Sequence, residues 1–346
     1  MTVKSRLLHL MAENGEGYVS GGALSRELSI SRSAVWKAVE SLRADGHDIS
    51  AVTNRGYRLE SSGDTLSAAG IEAYLRTGGV FRIEVRKTVE STNTVLRGAA
   101  DNLPEGFVLV AEGQTAGKGR LGRGFHSPPG HGVYFSLLLR PGAKSADAAL
   151  ITSAAAVAVA RAIEKVFGIR AGIKWVNDLF VRGKKVCGIL TEAVFGMESG
   201  MVESAVLGIG INITSPGSGF PEGVRDVAAA LTDRREGKDL ERCRLIAAAL
   251  DNFWEYYQNL AGREFLDEYR ARSIVLGQDV IVLSGDSAKP ARALAIDGNC
   301  GLTVGFENGE TVTLNSGEVR IKPIAQRLDE GESETGEVKS ESKGGE

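Results

Sequence analysis

The residues best suited to chemistry lie between Gln114 and Arg123, which read Gln-Thr-Ala-Gly-Lys-Gly-Arg-Leu-Gly-Arg. Gly117, Gly119 and Gly122 satisfy the G-x-G-x-x-G spacing of dinucleotide-binding turns. That fingerprint needs a helix to start there, with its N-terminus facing a pyrophosphate. Ser127-Pro128-Pro129-Gly130 comes too soon for a helix to run. A Walker A loop is excluded too. Three residues, not four, separate Gly113 from Gly117, and Gly119 stands where Ser or Thr is required. What remains is a flexible loop carrying Lys118, Arg120 and Arg123. Such a loop can close backbone N–H groups and cations around one anion. At an effective dielectric of about 20, opposite unit charges about 4 Å apart attract by roughly 4 kcal/mol. Two or three such contacts could offset the repulsion between two anionic substrates. The plainer alternative is a solvated basic turn.

A second cluster is Lys174-Trp175-Val176-Asn177-Asp178. It offers a cation for phosphate and hard oxygens for Mg²⁺, with Asp178 the candidate ligand. Asn-Asp is also a common turn pair. Lys185 opens the apolar run Val186-Cys187-Gly188-Ile189-Leu190. Two strands joined by Arg182-Gly183-Lys184 would bring Asp178 and Lys185 together. Glu90-Ser91-Thr92-Asn93 precedes a helical pattern and reads as an N-cap that can also hold a polar ligand head. Gly208-Ile209-Gly210-Ile211-Asn212 reads as a buried strand whose small residues admit a close approach, by a ligand or by packing alone.

These residues need elements to position them. Apolar spacing predicts helices over Ser5–Ala12, Gly22–Leu28 and Arg32–Ala44, the third with Ser31 as N-cap. Ile49–Val52 and Tyr57–Leu59 flank the turn Thr53-Asn54-Arg55-Gly56. Helix, helix, tight turn, helix and hairpin is the sequence form of a winged helix-turn-helix. From about 64 to 272 strands and helices mix without regular βα alternation, which predicts an α+β fold. Residues 273–325 alternate apolar and polar in short strands, and Asn308-Gly309 signals a hairpin, so a small β-barrel is expected. Gln326–Glu346 has seven acidic and three basic residues and is expected to be a disordered tail. The expected domains are 1–62, 63–272 and 273–325, with that tail at 326–346.

Composition narrows the function classes. The 346 residues carry 41 Lys and Arg against 44 Asp and Glu, a net charge of −3. A chain that coats nucleic acid by bulk charge is excluded, although a local basic face is not. Cys187, Cys243 and Cys300 are widely spaced and odd in number, so neither a disulfide framework nor a CxxC metal pair is expected. The sequence has no continuous apolar run of membrane length and no signal-peptide pattern, which leads us to expect a cytoplasmic protein.

Taken in order, Glu90-Ser91-Thr92-Asn93, Gln114 through Arg123, Lys174 through Asp178, Lys185-Val186-Cys187-Gly188 and Gly208 through Asn212 resemble the biotin–protein ligases. With the winged helix, the resemblance is to the bacterial bifunctional members that also repress the biotin operon, and it covers about 1–325. It implies a central fold related to class II synthetases and biotin–lipoate ligases, and an SH3-like C-terminal barrel. It implies ATP, Mg²⁺ and biotin, with biotinyl-5′-adenylate as intermediate and corepressor, and a lysine of a biotin carboxyl carrier domain as acceptor. Ser91, Thr92, Asn93 and Gln114 would hydrogen-bond biotin, and Gly117, Lys118, Gly119 and Arg120 would wrap the adenylate. Lys185 would bridge carboxylate and α-phosphate, Gly188 would line the floor, and Lys185, Arg120 and Lys118 would be catalytic. Arg120, Arg123, Phe125, Lys174, Asn177, Asp178 and Asn212 would serve ATP and its metal.

Three positions depart from the family pattern. Lys118 stands where many members have Arg, so a point charge replaces a fork. Phe125 stands where Trp is common, and stacks with less area. Val176 replaces a usual Pro. In the winged helix, Arg32, Ser33 and Lys37 lie on the polar side of the third helix and Arg55 at the wing tip, the placement of a recognition helix in the major groove. Residues 1–60 hold eight Lys and Arg against seven Asp and Glu. One copy should therefore bind operator DNA weakly, and repression would need a homodimer promoted by the adenylate. Two other readings remain open: a biotin-sensing regulator without ligation, and a ligase for lipoate. Intact Lys118, Arg120 and Lys185 argue against the first, and the glycine-basic loop favours biotin over lipoate.

Overall fold

The computed structural model describes residues 2–60, 64–141, 148–195, 202–233, 241–284 and 287–321. The expected boundary between the first two domains, at 62–63, and the expected tail at 326–346 lie outside the described residues. The described residues separate into two compact units, one drawn from 2–273 with Gly298–Cys300 and the other from 274–297 with 301–321.

The first unit begins with α1 (Val3–Glu13), α2 (Gly21–Leu28) and α3 (Arg32–Ala44). Thr2, Ser20 and Ser31 cap them with side-chain oxygens, each satisfying one donor the first helical turn leaves unpaired. Leu7, Leu8, Met11, Leu24, Val35, Val39 and Leu42 are buried between them. The hairpin β1 (Ile49–Val52) and β2 (Gly56–Leu59) completes the wing. Gly56 is at φ +112, and a Cβ there would sit 2.1 Å from the Val19 carbonyl oxygen, so only glycine fits.

Within this module Lys4 pairs with Asp45 at 2.7 Å. A buried histidine ties the module to α4 (Ala68–Glu72): His47 Nε2 lies 2.8 Å from Ser67 Oγ, which caps that helix. Burial pushes the His47 pKa down from 6.5 to about 4, against Asp45, which raises it, while Lys4 lowers it further. The folded chain therefore keeps His47 neutral where the unfolded chain protonates. Stability should be insensitive to this group above pH 6.5 and should fall, by up to about 3 kcal/mol, as pH drops toward 4. Urea melts at several pH values should show that slope, and His47→Gln should flatten it.

The centre is a seven-stranded sheet ordered β3 (Arg82–Val89), β4 (Phe107–Gln114), β5 (Gly132–Leu139), β9 (Val202–Asn212), β8 (Lys184–Phe195), β7 (Asp178–Val181) and β6 (Gly172–Lys174). β3 and β4 are parallel and all other neighbours antiparallel. The parallel pair needs a crossover, which α5 (Thr92–Gly98) supplies. Leu96 of α5 joins Phe107, Leu109, Leu138 and Val206 in a cluster on one face. The other face carries α6 (Ala148–Phe167), packed on β8, with α8 (Glu241–Gln258) against α6 and β5. Side chains alternate across a strand, so Thr191 meets Thr152 of α6 at 2.8 Å while Leu190 and Gly188 face the other way. Ala154, Ala155, Ala158 and Ala162 are buried, and such small side chains let α6 pack closely. α7 (Glu222–Arg225) and α9 (Leu266–Arg272) complete the unit. Its mixed α/β order is the predicted α+β class.

In the second unit, β10 (Asp279–Ser284), β11 (Ser287–Ile296), β12 (Leu302–Gly305), β13 (Thr311–Leu314) and β14 (Glu318–Ile321) form an antiparallel sheet ordered β13-β12-β11-β10-β14. This is the small β domain that the period-2 pattern predicts. Its fifth strand, Glu318–Ile321, pairs antiparallel with β10 at the sheet edge.

Candidate active site

The glycine-basic loop leaves the end of β4 and folds back on itself. Phe125 donates its N–H to the Gly117 carbonyl at 2.8 Å, and Gly119 to the Arg123 carbonyl at 2.7 Å. Arg120–Gly122 makes a single 3-10 turn with Leu121 at φ +56, so no helix begins at the glycines. The loop arches over a cavity of about 440 Å³, counting the part open to solvent. Ser91, Thr92, Asn93, Gln114, Lys118, Gly119, Arg120, Phe125, Asn177, Lys185 and Gly188 line it, with Ile189, Leu190, Gly208, Ile209 and Gly210.

The floor is glycine by necessity. Gly188 pairs with Gly210 across β8 and β9, and Gly208 pairs with Leu190. A Cβ on Gly210 would lie 2.6 Å from the Phe125 ring, and one on Gly208 2.0 Å from Asn93 Oδ1. The strand therefore gives a flat surface on which Phe125 and the start of α5 rest.

One wall is a buried hydrogen-bond network. Ser91 caps α5. Gln114 Oε1 accepts from the Thr92 backbone N–H at 2.8 Å and the Thr92 hydroxyl at 3.1 Å, and its Nε2 donates to Ser127 Oγ. Ser136 donates to Asn93 Oδ1 at 2.6 Å and lies 2.8 Å from Thr92 Oγ1. Asn93 Nδ2 donates to the Leu190 carbonyl and to Glu192. The network locks the polar groups of α5 against the sheet.

The opposite wall is charged. Lys185 Nζ is 2.7 Å from Asp178 Oδ1, as the predicted β7–β8 turn requires. Asp178 orients the ammonium while Lys185 still reaches the cavity. Arg120 donates to Asn177 Oδ1 at 3.1 Å, and Asn177 Nδ2 to the Ile189 carbonyl at 2.7 Å. That pair joins the basic loop to the Lys174–Asp178 turn, whose Trp175–Val176 peptide is cis. Burial pushes the Cys187 thiol well above its usual range, so it is no nucleophile.

Not every predicted residue lines the cavity. Gly117 is buried behind the wall, where a Cβ would meet the Phe125 carbonyl at 2.5 Å. Arg123 is exposed and does not line the cavity. Lys174 lies over the Phe180 ring, 5.6 Å from its centroid. Asn212 is buried at the end of β9 and donates to the Ala229 carbonyl. Asp178 stands behind Lys185. Among the described residues no three His, Cys, Asp or Glu side chains cluster as a metal site.

Sequence reasoning missed Ser127, Ser136 and Glu192. Ser136 did leave a signal: it is the lone hydroxyl in the buried strand Gly-Val-Tyr-Phe-Ser-Leu-Leu-Leu apart from the Tyr134 phenol, and a buried hydroxyl needs a partner. The segment around Val227–Ala229 was missed as well. It pairs with the Lys185 backbone on both sides, at 2.8 Å each, and left no pattern to find.

Comparison with known proteins agrees with this geometry. The biotin/lipoate A/B protein ligase family model matches residues 85–212, which contain the whole cavity lining, and a helix-turn-helix domain model matches 4–58. The chain is 38% identical over 260 residues to the bifunctional ligase/repressor BirA of Bacillus subtilis, covering 75% of this chain and 79% of that one. It is 31% identical over 257 residues to the biotin–[acetyl-CoA-carboxylase] ligase of Mycobacterium tuberculosis, covering 70% and 89%. A solved biotin protein ligase from Aquifex aeolicus, in complex with biotin and ATP, superposes with a TM-score of 0.58 at 29% identity, covering 70% of this chain and 98% of that one. Fold and site thus define a ligase catalytic domain preceded by a helix-turn-helix. The chain belongs to the biotin–protein ligases, in the bifunctional ligase/repressor branch of the biotin/lipoate A/B protein ligase family.

Proposed function

We propose that this chain activates biotin with MgATP as biotinyl-5′-adenylate, transfers biotin to a lysine of a carboxyl carrier domain, and represses transcription by binding DNA. The observation that carries the enzymatic half is the convergence of Lys185, Arg120 and Lys118 on one glycine-floored cavity. In the first step a biotin carboxylate oxygen bonds to the α-phosphorus while the bond to the β-phosphate bridging oxygen breaks. Two anions must meet, and fixed cations at the point of contact stabilise the charge that concentrates there. Lys185 bridges carboxylate and α-phosphate, held by Asp178. Arg120 and Lys118 close over the adenylate, with Gly119 letting the backbone wrap it and Gly117, behind the wall, letting the loop fold back on Phe125. In the second step the carrier amine attacks the acyl carbon and AMP leaves.

The Ser91–Gln114 wall and Gly188 receive biotin. Phe125 stacks on the adenine and Asn177 serves the phosphates; Arg123, Lys174 and Asn212, which the family pattern also assigns to ATP, stand outside the cavity lining. Bound with the triphosphate, Mg²⁺ would supply positive charge to offset the negative charge of the phosphates. Asp178, already paired with Lys185, would be the residue to hold it.

For the regulatory half, α3 presents Arg32, Ser33 and Lys37 on its exposed side, and Arg55 sits on the wing over the Tyr18 ring at 4.5 Å. The adenylate is the corepressor and promotes a homodimer that spans two half-sites. Sedimentation should show association strengthened by biotin plus MgATP, and an unchanged association constant would remove the coupling. No helix among the described residues is long and apolar enough to cross a membrane, which fits work in the cytoplasm. The direct test of the enzyme is ATP-dependent gain of one biotin mass by an apo carrier domain.

A further inference from the structure

We infer that Trp36 reads a base in the operator. The inference rests on the repressor reading and adds to it a residue that contacts sequence rather than phosphate.

α3 buries Val35, Ala38, Val39 and Leu42 and caps itself with Ser31. At about 100° per residue, Trp36 falls on the polar half of the helix, between Arg32 at the edge of the buried stripe and Ser33 and Lys37 opposite it. It is 54% exposed, whereas the other two tryptophans, Trp175 and Trp254, are 3% and 9% exposed. Leaving so large an apolar surface in water forgoes burial that the other two achieve; a single exposed apolar side chain is ordinary on a surface, and what sets this one apart is the company it keeps on α3 and the wing. The rim here is cationic. Arg32 and Lys37 are exposed beside it, and Arg55 stacks on Tyr18 at the wing, 4.5 Å from the ring centroid, whereas Arg58, also over Tyr18, is paired with Glu60 at 2.7 Å. Glu40, the acid on this arc, is neutralised by Arg43 at 2.8 Å. Those charges fit a polyanion. On a duplex they take phosphates, which position the helix without reading sequence. An indole on the groove-facing arc has an apolar partner available there, the thymine methyl group, which separates A·T from the other pairs in the major groove.

The test is selection from a random duplex library with the full chain, biotin and MgATP, run on the wild type, Trp36→Ala and Trp36→Phe. Normal biotin transfer by each variant would certify the fold. The wild type should enrich a motif with a fixed A·T pair in each half-site. Trp36→Ala should lose preference at that pair and bind the enriched duplex about tenfold more weakly, with binding of an arbitrary duplex at low salt unchanged. Trp36→Phe should keep most of the preference. An unaltered motif and affinity in Trp36→Ala would overturn the inference. So would equal weakening on all duplexes, which would assign Trp36 to helix placement. If the wild type enriches no motif, the repressor reading falls and this inference with it.

Discussion

Lys185→Ala is expected to slow adenylate formation by about 10²–10³-fold, the usual loss when one fixed transition-state charge is removed. Lys185 is the cation whose position is most completely fixed. Its backbone is clamped by the Val227–Ala229 segment on one edge and its ammonium by Asp178 at 2.7 Å. The variant should fold, because the side chain is 31% exposed and packs no core. Lys185→Arg should recover little, since a planar fork cannot take the place of a point charge beside Gly188, where the lysine Nζ is 3.2 Å from a Cβ position. Asp178→Asn should cost less, because it removes the orienting partner and leaves the charge. Single-turnover formation of the adenylate, with ATP and biotin saturating, separates these effects from binding. A Lys185→Ala rate within a few fold of wild type would exclude Lys185 from the chemistry.

The second large effect concerns stability. Arg242, at the start of α8, has a side chain only 4% exposed. Its guanidinium donates to Asp64 Oδ2 at 2.8 Å, to the Asp64 carbonyl at 2.6 Å and to both oxygens of Glu112, at 2.6 and 3.2 Å. One residue thus ties the segment at Asp64, the first turn of α8 and strand β4 together. Arg242→Ala would leave two carboxylates facing each other without a cation. Removing one partner of a buried pair costs about 3–5 kcal/mol as a rule, and about 3 kcal/mol is expected here because Glu112 is 26% exposed. Urea unfolding should show that loss as a lower midpoint with unchanged slope. Arg242→Lys should fall between, keeping the charge and losing the fork. Glu112 lies two residues before Gln114 on β4, so the same variant should also weaken biotin binding. A stability within about 1 kcal/mol of wild type would mean the carboxylates are solvated and the tie is decorative.

The sequence carried the parts of this protein that depend on local pattern. The winged helix was legible because α1, α2 and α3 each bury a helical stripe and end at polar caps, and because Asn54 and Gly56 adopt the positive φ their turn requires. The glycine-basic loop was legible because Pro128 and Pro129 forbid the helix a dinucleotide site needs. The Asp178–Lys185 pair came from two short strands and a three-residue turn. Contacts set by sheet order were not legible. Ser136 meets Thr92 and Asn93 only because β5 lies beneath α5, and no period in either segment says so. The backbone neighbours of Lys185, Val227 and Ala229, are equally remote in the chain. Arg123, Lys174 and Asn212 are named by motif, yet they lie outside the cavity lining. Trp36 went unread because a helical wheel treats an exposed apolar residue as a flaw in the pattern.

The central claim is that this cavity activates biotin and passes it to a protein lysine. The measurement that meets it most directly is intact mass spectrometry of an apo biotin-carrier domain. The domain would be incubated with the full chain, MgATP and equimolar biotin and lipoate. A mass gain equal to one biotin, absent without ATP and abolished in Lys185→Ala, is the predicted result. A lipoyl gain would keep the chemistry and overturn the substrate. No gain, with biotin still bound, would contradict the claim and leave a ligand-sensing regulator.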